Sequence, residues 1–137
     1  MRVTFDSNVF VSALNYQGPP ARLLELAAVE AFHLQLSAEI LDETIRILSS
    51  KFRWPVEDIM EARTVLSAVS QHVIPHVQLD VVKRDPDDNR VLECAQSSGS
   101  DYIVTGDKDL LDLKHHAGAR ILRPAELLML LEARQAT

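Results

Sequence analysis

Along the chain the spacing of apolar positions switches repeatedly between about two and about 3.6 residues, which predicts alternating strands and helices. Arg2-Val3-Thr4-Phe5 is a short β-branched and aromatic run that stops at Asp6. Ser7-Asn8 supply capping groups ahead of Val9-Phe10-Val11, so strand, sharp turn and helix are expected in that order. Gly18-Pro19-Pro20 marks a loop, and a second helix opens at Ala21-Arg22-Leu23. Phe32-His33-Leu34-Gln35-Leu36 alternates as a strand does, and Ser37 then caps a helix to about Ser50. In that helix Ile40, Leu41, Ile45, Ile47 and Leu48 share one arc.

Pro55 starts another helix, to about Gln71, and Val73-Ile74-Pro75 with Val77 and Leu79 makes a short strand with its flanks. Asp85-Pro86-Asp87-Asp88-Asn89 reads as a turn and cap leading into a helix through Val91-Leu92 and Ala95. Tyr102-Ile103-Val104 is the next strand, a short helix follows Asp107, and Arg120-Ile121-Leu122 is the last strand before a helix opened by Pro124. Strands separated by helices imply crossover connections, hence an α/β fold of three layers, α/β/α, with a central mainly parallel sheet. In such sheets ligands bind beyond the carboxyl ends of the strands.

A length of 137 residues suits one domain, residues 1–137. Apolar residues make up 47% and charged ones 25%, which excludes a disordered chain. The single Cys94 supports neither a disulfide scaffold nor a thiolate zinc site. No run approaches 18 apolar residues and Met1 leads directly into a strand, so a cytoplasmic protein is expected. A formal charge of −6 argues against indiscriminate binding to phosphate backbones.

The acids change that picture. Asp6 closes the first strand; Asp107 and Asp109 follow Thr105-Gly106 at the end of a later one. Each taken alone has a plain explanation as a helix cap or first-turn acid. Asp85, Asp87 and Asp88 are harder, since a turn needs one capping acid and not three. At 100° per residue Asp88 lies on the Val91-Leu92-Ala95 stripe and should lean inward, whereas Asp87 lies toward its edge. Glu43 flanks the apolar arc of its helix, as many surface acids do, yet could reach toward the strand ends. Converging carboxylates repel unless a hard divalent cation, Mg²⁺ or Mn²⁺, is held between them by oxygen ligands. Two such ions would bring the formal charge of −6 to about −2 and put the positive field in the acidic pocket.

Asp6-Ser7-Asn8-Val9, Glu43, Asp85-Pro86-Asp87-Asp88-Asn89 and Ile103-Val104-Thr105-Gly106-Asp107-Lys108-Asp109-Leu110-Leu111 together resemble the PIN-domain nucleases, in the family's motif order. The similarity is greatest to the compact bacterial VapC-like branch of toxin components. Ser7 stands where Thr is commoner in the family, and a hydroxyl is kept. The resemblance implies a PIN-like, Rossmann-like fold and metal-binding acids at Asp6, Glu43, Asp88 and Asp107, with Asp109 as an additional ligand. Asn8 and Thr105 would support them. It further implies Mg²⁺- or Mn²⁺-dependent hydrolysis of RNA, the first four acids being catalytic, and a cognate antitoxin partner.

Rival readings are a phosphoacceptor signalling domain, which lacks its acidic pair because Ser7-Asn8 follows Asp6, and a haloacid-dehalogenase-type phosphatase, which wants Asp where Asn8 stands. A binding module without catalysis is the third. Lys51-Phe52-Arg53-Trp54 could stack on a single strand but suits a helix end packed under its turn. His115-His116 is expected to face solvent from a helix. Leu127-Leu128-Met129-Leu130-Leu131 is apolar all round, which points to the core or to a homodimer contact. Leu23-Leu24-Leu26 could line a groove for an antitoxin helix or simply fill the core.

Overall fold

A computed structural model describes residues 1–135. Arg2–Phe5 forms β1, and Asp6 ends it by capping α1, Ser7–Asn15. Helix α2 is Pro19–Ala28 and β2 is His33–Ser37. Both prolines lie inside α2 as its first two residues instead of in the preceding loop, because the missing N–H groups there have no helical partner to lose. Ser37 caps α3, Ala38–Ser50, its Oγ accepting from the Ile40 N–H at 3.3 Å.

Helix α4 covers Val56–Val69 and β3 covers Ser70–Val73, so the helix ends and the strand begins earlier than expected. The polar strand Ser70-Gln71-His72 carries no apolar alternation; its place is set by parallel pairing with β2 and by the Gln35 side chain donating to that of Gln71 at 2.8 Å. Ile74, expected in a strand, is 79% exposed. Helix α5 is Asp87–Ser98, β4 is Tyr102–Val104 and α6 is Lys108–Leu113. Gly99 at φ 66° closes α5 in the left-handed conformation that glycine adopts without a Cβ penalty. Strands β5, His115–His116, and β6, Ala119–Leu122, precede α7, Pro124–Gln135. The two histidines thus lie on a two-residue strand and not on a helix, and His116 Nε2 meets Gln96 Oε1 at 2.9 Å.

The strand order is β3-β2-β1-β4-β6-β5, parallel except for β5 against β6. Alternation along β1 assigns its faces. Thr4 Oγ1 lies 2.8 Å from Ser100 Oγ and 3.9 Å from the Cys94 sulfur, toward α5. Phe5 points the opposite way, its ring centroid 5.2 Å from Phe10 of α1 and 6.1 Å from Phe32. Helices therefore cover both faces, completing the three-layer α/β/α arrangement.

Leu23 and Leu26 are buried in the main core, as are Leu127 and Leu131, while Met129 is 69% exposed. A second cluster of Val11, Leu48 and Ala62 takes in Phe52 and Trp54, and the Trp54 indole N–H donates to Asn15 Oδ1 at 3.0 Å. Phe52 and Trp54 are thus packed under the turn, while Lys51 and Arg53 are exposed. Among the described residues no helix is long and apolar enough to cross a membrane.

Candidate metal centre

Sheet order reverses at β1, since the chain runs outward through β2 and β3 and then returns to place β4 on the other side of β1. The crevice beyond the carboxyl ends of β1 and β4 is the switch point at which open α/β sheets bind ligands. Asp6 leaves β1 and Asp107 leaves β4 by way of Thr105-Gly106. The Asp6 N–H donates to the Val104 carbonyl at 3.0 Å, which locks the two strand ends together.

Asp6 is 3% exposed. Its Oδ1 accepts from the Asn8 N–H at 3.2 Å and from the Ser7 hydroxyl at 3.3 Å, and its Oδ2 accepts from the Thr105 hydroxyl at 2.7 Å. Burial raises its pKa, the Thr105 hydrogen bond opposes the rise, and the Asp107 charge adds to it. Asp107 caps α6, its Oδ1 accepting from Asp109 N–H at 2.8 Å and from Leu110 N–H at 3.3 Å. The Asp107 N–H in turn donates to Thr105 Oγ1 at 3.0 Å, so one buried hydroxyl ties both strand-end acids. Thr105→Val leaves these partners unmet and should lower stability by about 1–3 kcal/mol. Urea denaturation in chelator would register that loss.

Asp88 is buried at a cost. It projects inward from the first turn of α5, is 5% exposed, and its buried Oδ2 has no hydrogen-bond partner among the described residues. Desolvation, followed by the charges of Asp107, Asp6 and Asp85, pushes its pKa up to about 8. Asp85, Asp88 and Asp107 each offer an oxygen, and the three oxygens lie within 4.8 Å of one another. Glu43, half-buried on α3, is outside that trio. Its pKa is raised by burial and by Asp87 and Asp6, and lowered by hydrogen bonding with Ser7 and by Arg46.

The other supporting residues divide. Asn8 is exposed and serves Asp6 through its backbone; Asp109 likewise serves Asp107 through its N–H, and its carboxylate is not one of the trio. Lys108 is held by Asp112 at 2.7 Å. Arg46 reaches across from α3 to Asp87 of α5 at 3.5 Å.

Sequence reasoning misses Asp85 as a ligand of its own because a turn explains it: its Oδ1 accepts from the Asp87 N–H at 3.1 Å. The available signal is its spacing of three from Asp88 across a helix start, which sets both carboxylates on one side of the first turn. An all-oxygen donor set with an unpartnered buried carboxylate oxygen fits a hard divalent cation.

No curated protein matches the chain significantly. Among solved structures, a chain from the crystal structure of VapBC2 from Rickettsia felis bound to a DNA fragment from their promoter superposes with a TM-score of 0.63. The two share 16% identity over 90% of this chain and 98% of that one, which is a likeness of fold. A family model described as PIN domain matches residues 2–109, from the first strand to the helix that Asp107 caps. By that match, which spans most of its length, the chain belongs to the PIN-domain family.

Proposed function

We propose that this protein is a Mg²⁺- or Mn²⁺-dependent endoribonuclease, the VapC-like toxin component of a toxin–antitoxin pair, acting in the cytoplasm as one PIN-like domain. The observation that carries the reading is the Asp88 carboxylate, buried with one oxygen unpartnered and facing Asp85 and Asp107 at the switch point of the sheet. Nothing in the stability of the metal-free fold favours such a group, because a carboxyl buried with an oxygen unpartnered either loses its charge or keeps it at a cost. A cation-dependent function gives it a use.

In this reading Asp107, Asp88 and Asp85 form the floor of the cation site, with Asp6 closing it from the β1 side. A divalent ion held by these carboxylates would supply Lewis-acid chemistry, making hydroxide available from water near neutral pH and offsetting charge on the phosphate. Asp6 holds Ser7, Asn8 and Thr105 in place through its own hydrogen bonds. Glu43 stands apart from the trio with a raised pKa, which makes its carboxylate a stronger base than an ordinary one. It takes the proton of the attacking water.

The partner belongs to the same proposal. Leu14, Trp54, Ala62 and Val65 line an open groove of ≈ 350 Å³ whose edge carries Asp58 and Glu61. Such a surface suits an amphipathic antitoxin helix with basic flanks. Met129 and Leu130 of α7 line an open groove with Leu122, which a homodimer contact would cover.

The test is cleavage of single-stranded RNA by the pure protein with Mg²⁺ or Mn²⁺. Cleavage should vanish in EDTA and fall at least about 100-fold in Asp6→Asn. Undiminished turnover in EDTA would overturn the reading, and labelling by acetyl phosphate would favour a phosphoacceptor domain instead.

A further inference from the structure

Residues 74–82 form neither helix nor strand, yet their backbone is pinned along α5. The His76 N–H donates to Ser97 Oγ at 3.0 Å and the Leu79 N–H to Glu93 Oε2 at 2.8 Å. Both the Val81 and Val82 N–H groups donate to Asn89 Oδ1 at 2.9 Å, while Asn89 Nδ2 donates back to the Val82 carbonyl at 2.8 Å. Arg90 steadies the middle of this arrangement, donating to Glu93 Oε2 at 2.9 Å and to the Leu79 carbonyl at 3.3 Å.

The acceptors 89, 93 and 97 are four residues apart, so they form a polar stripe down one side of the helix. The strap meets them in reverse order, at 82, 79 and 76, and so runs antiparallel to α5. Asn89 is 1% exposed and uses its whole amide as a substitute for a neighbouring strand.

Only Lys83 and Arg84 separate Val82 from Asp85, a Cα-to-Cα span of at most about 11 Å. A displacement at Val82 therefore has almost no chain in which to dissipate before it reaches Asp85. Asp85 is one of the three acids whose oxygens cluster within 4.8 Å. Asp88, a member of that same cluster, carries a buried oxygen without a hydrogen-bond partner.

We propose that Asn89 is a positioning residue of the metal centre: by gripping Val81 and Val82 it sets where Asp85 stands, and through Asp85 it governs cation affinity. This rests on the cation-binding reading given above. Asn89 touches neither ion nor substrate. Its action is mechanical, and it should disappear when the Asp85 carboxylate is removed.

The experiment is Mn²⁺ titration calorimetry on the parent, Asn89→Ala, Asp85→Asn and the double variant, with Ser97→Ala as the comparison at the far end of the strap. Asn89→Ala should weaken Mn²⁺ binding about tenfold in the parent and less than about twofold in the Asp85→Asn background. Ser97→Ala should change affinity less than about twofold, although it too loosens the strap. Hydrogen exchange at the Val81 and Val82 amides should accelerate in Asn89→Ala. If the alanine variant does not fold, Asn89→Ser takes its place in the same cycle. Equal weakening in both backgrounds, or unchanged affinity in the Asn89 variant, would overturn the inference and leave the nuclease reading standing. A parent protein that binds no Mn²⁺ would overturn both.

Discussion

Replacing Asp88 with asparagine should make the metal-free protein more stable and sharply reduce the metal-dependent cleavage proposed for it. Two effects of opposite sign come from one atom. In the parent, Asp88 Oδ2 is buried without a partner and its pKa is pushed up to about 8 by burial and by Asp107, Asp6 and Asp85. An amide of the same shape carries no charge and can donate to the neighbouring carboxylates.

The sign of the pH dependence follows from proton binding. Below about pH 4 the Asp88 carboxyl is protonated in both folded and unfolded chains. Between about pH 4 and pH 8 the unfolded chain releases the proton and the folded chain keeps it, so stability falls as pH rises through that window. Asp6 and Glu43, also raised, tilt the parent the same way. A tenfold difference in proton affinity between folded and unfolded chains corresponds to about 1.4 kcal/mol, so the variant's advantage should be small at pH 4–5 and reach about 2–4 kcal/mol near pH 8. Urea titrations in EDTA at about pH 5 and about pH 8 measure it. Adding Mn²⁺ at the higher pH should stabilise the parent and do much less for the variant. Cleavage in the variant should drop about 10²–10³-fold, because several kcal/mol of charge stabilisation are lost. A variant less stable than the parent at the higher pH would show that the carboxylate is not strained.

Phe5→Ala should produce the largest loss of stability. Its ring is fully buried between those of Phe10 and Phe32, which come from α1 and from the approach to β2. Truncation forfeits the transfer of a large side chain and leaves a cavity, costing about 3–5 kcal/mol. The two tilted ring pairs add to that loss. Against a typical total of about 5–15 kcal/mol this is a large fraction. The urea midpoint should fall while the slope stays unchanged. Because Phe5 immediately precedes Asp6, the proposed cleavage should be lost at temperatures the parent tolerates.

The layers of this fold are legible in the sequence because strands and helices alternate with strong periodicity. Ser37, Asp107 and Pro124 begin helices where local capping chemistry puts them, and Asp88 leans inward as its helical angle requires. What escapes is whatever long-range pairing alone decides. Strand β3 is polar and finds its register against β2; β5 has two residues and so no period to detect. Asp85 is hidden by its own sufficient explanation as a turn acid, and Asn89 by resembling an ordinary helix-start residue. That Asp6 and Asp107 sit side by side depends on the reversal of strand order at β1, which no local pattern encodes.

The two rims of the sheet bear on how the protein behaves when crowded. One rim is the short polar strand Ser70–Val73 and the other is the two-residue strand His115–His116, running against its neighbour. Neither offers an incoming extended chain a long apolar ladder on which to dock, so polymerisation by strand addition finds no template. Concentrated solutions should therefore resist fibril formation even though the sheet interior is rich in β-branched side chains.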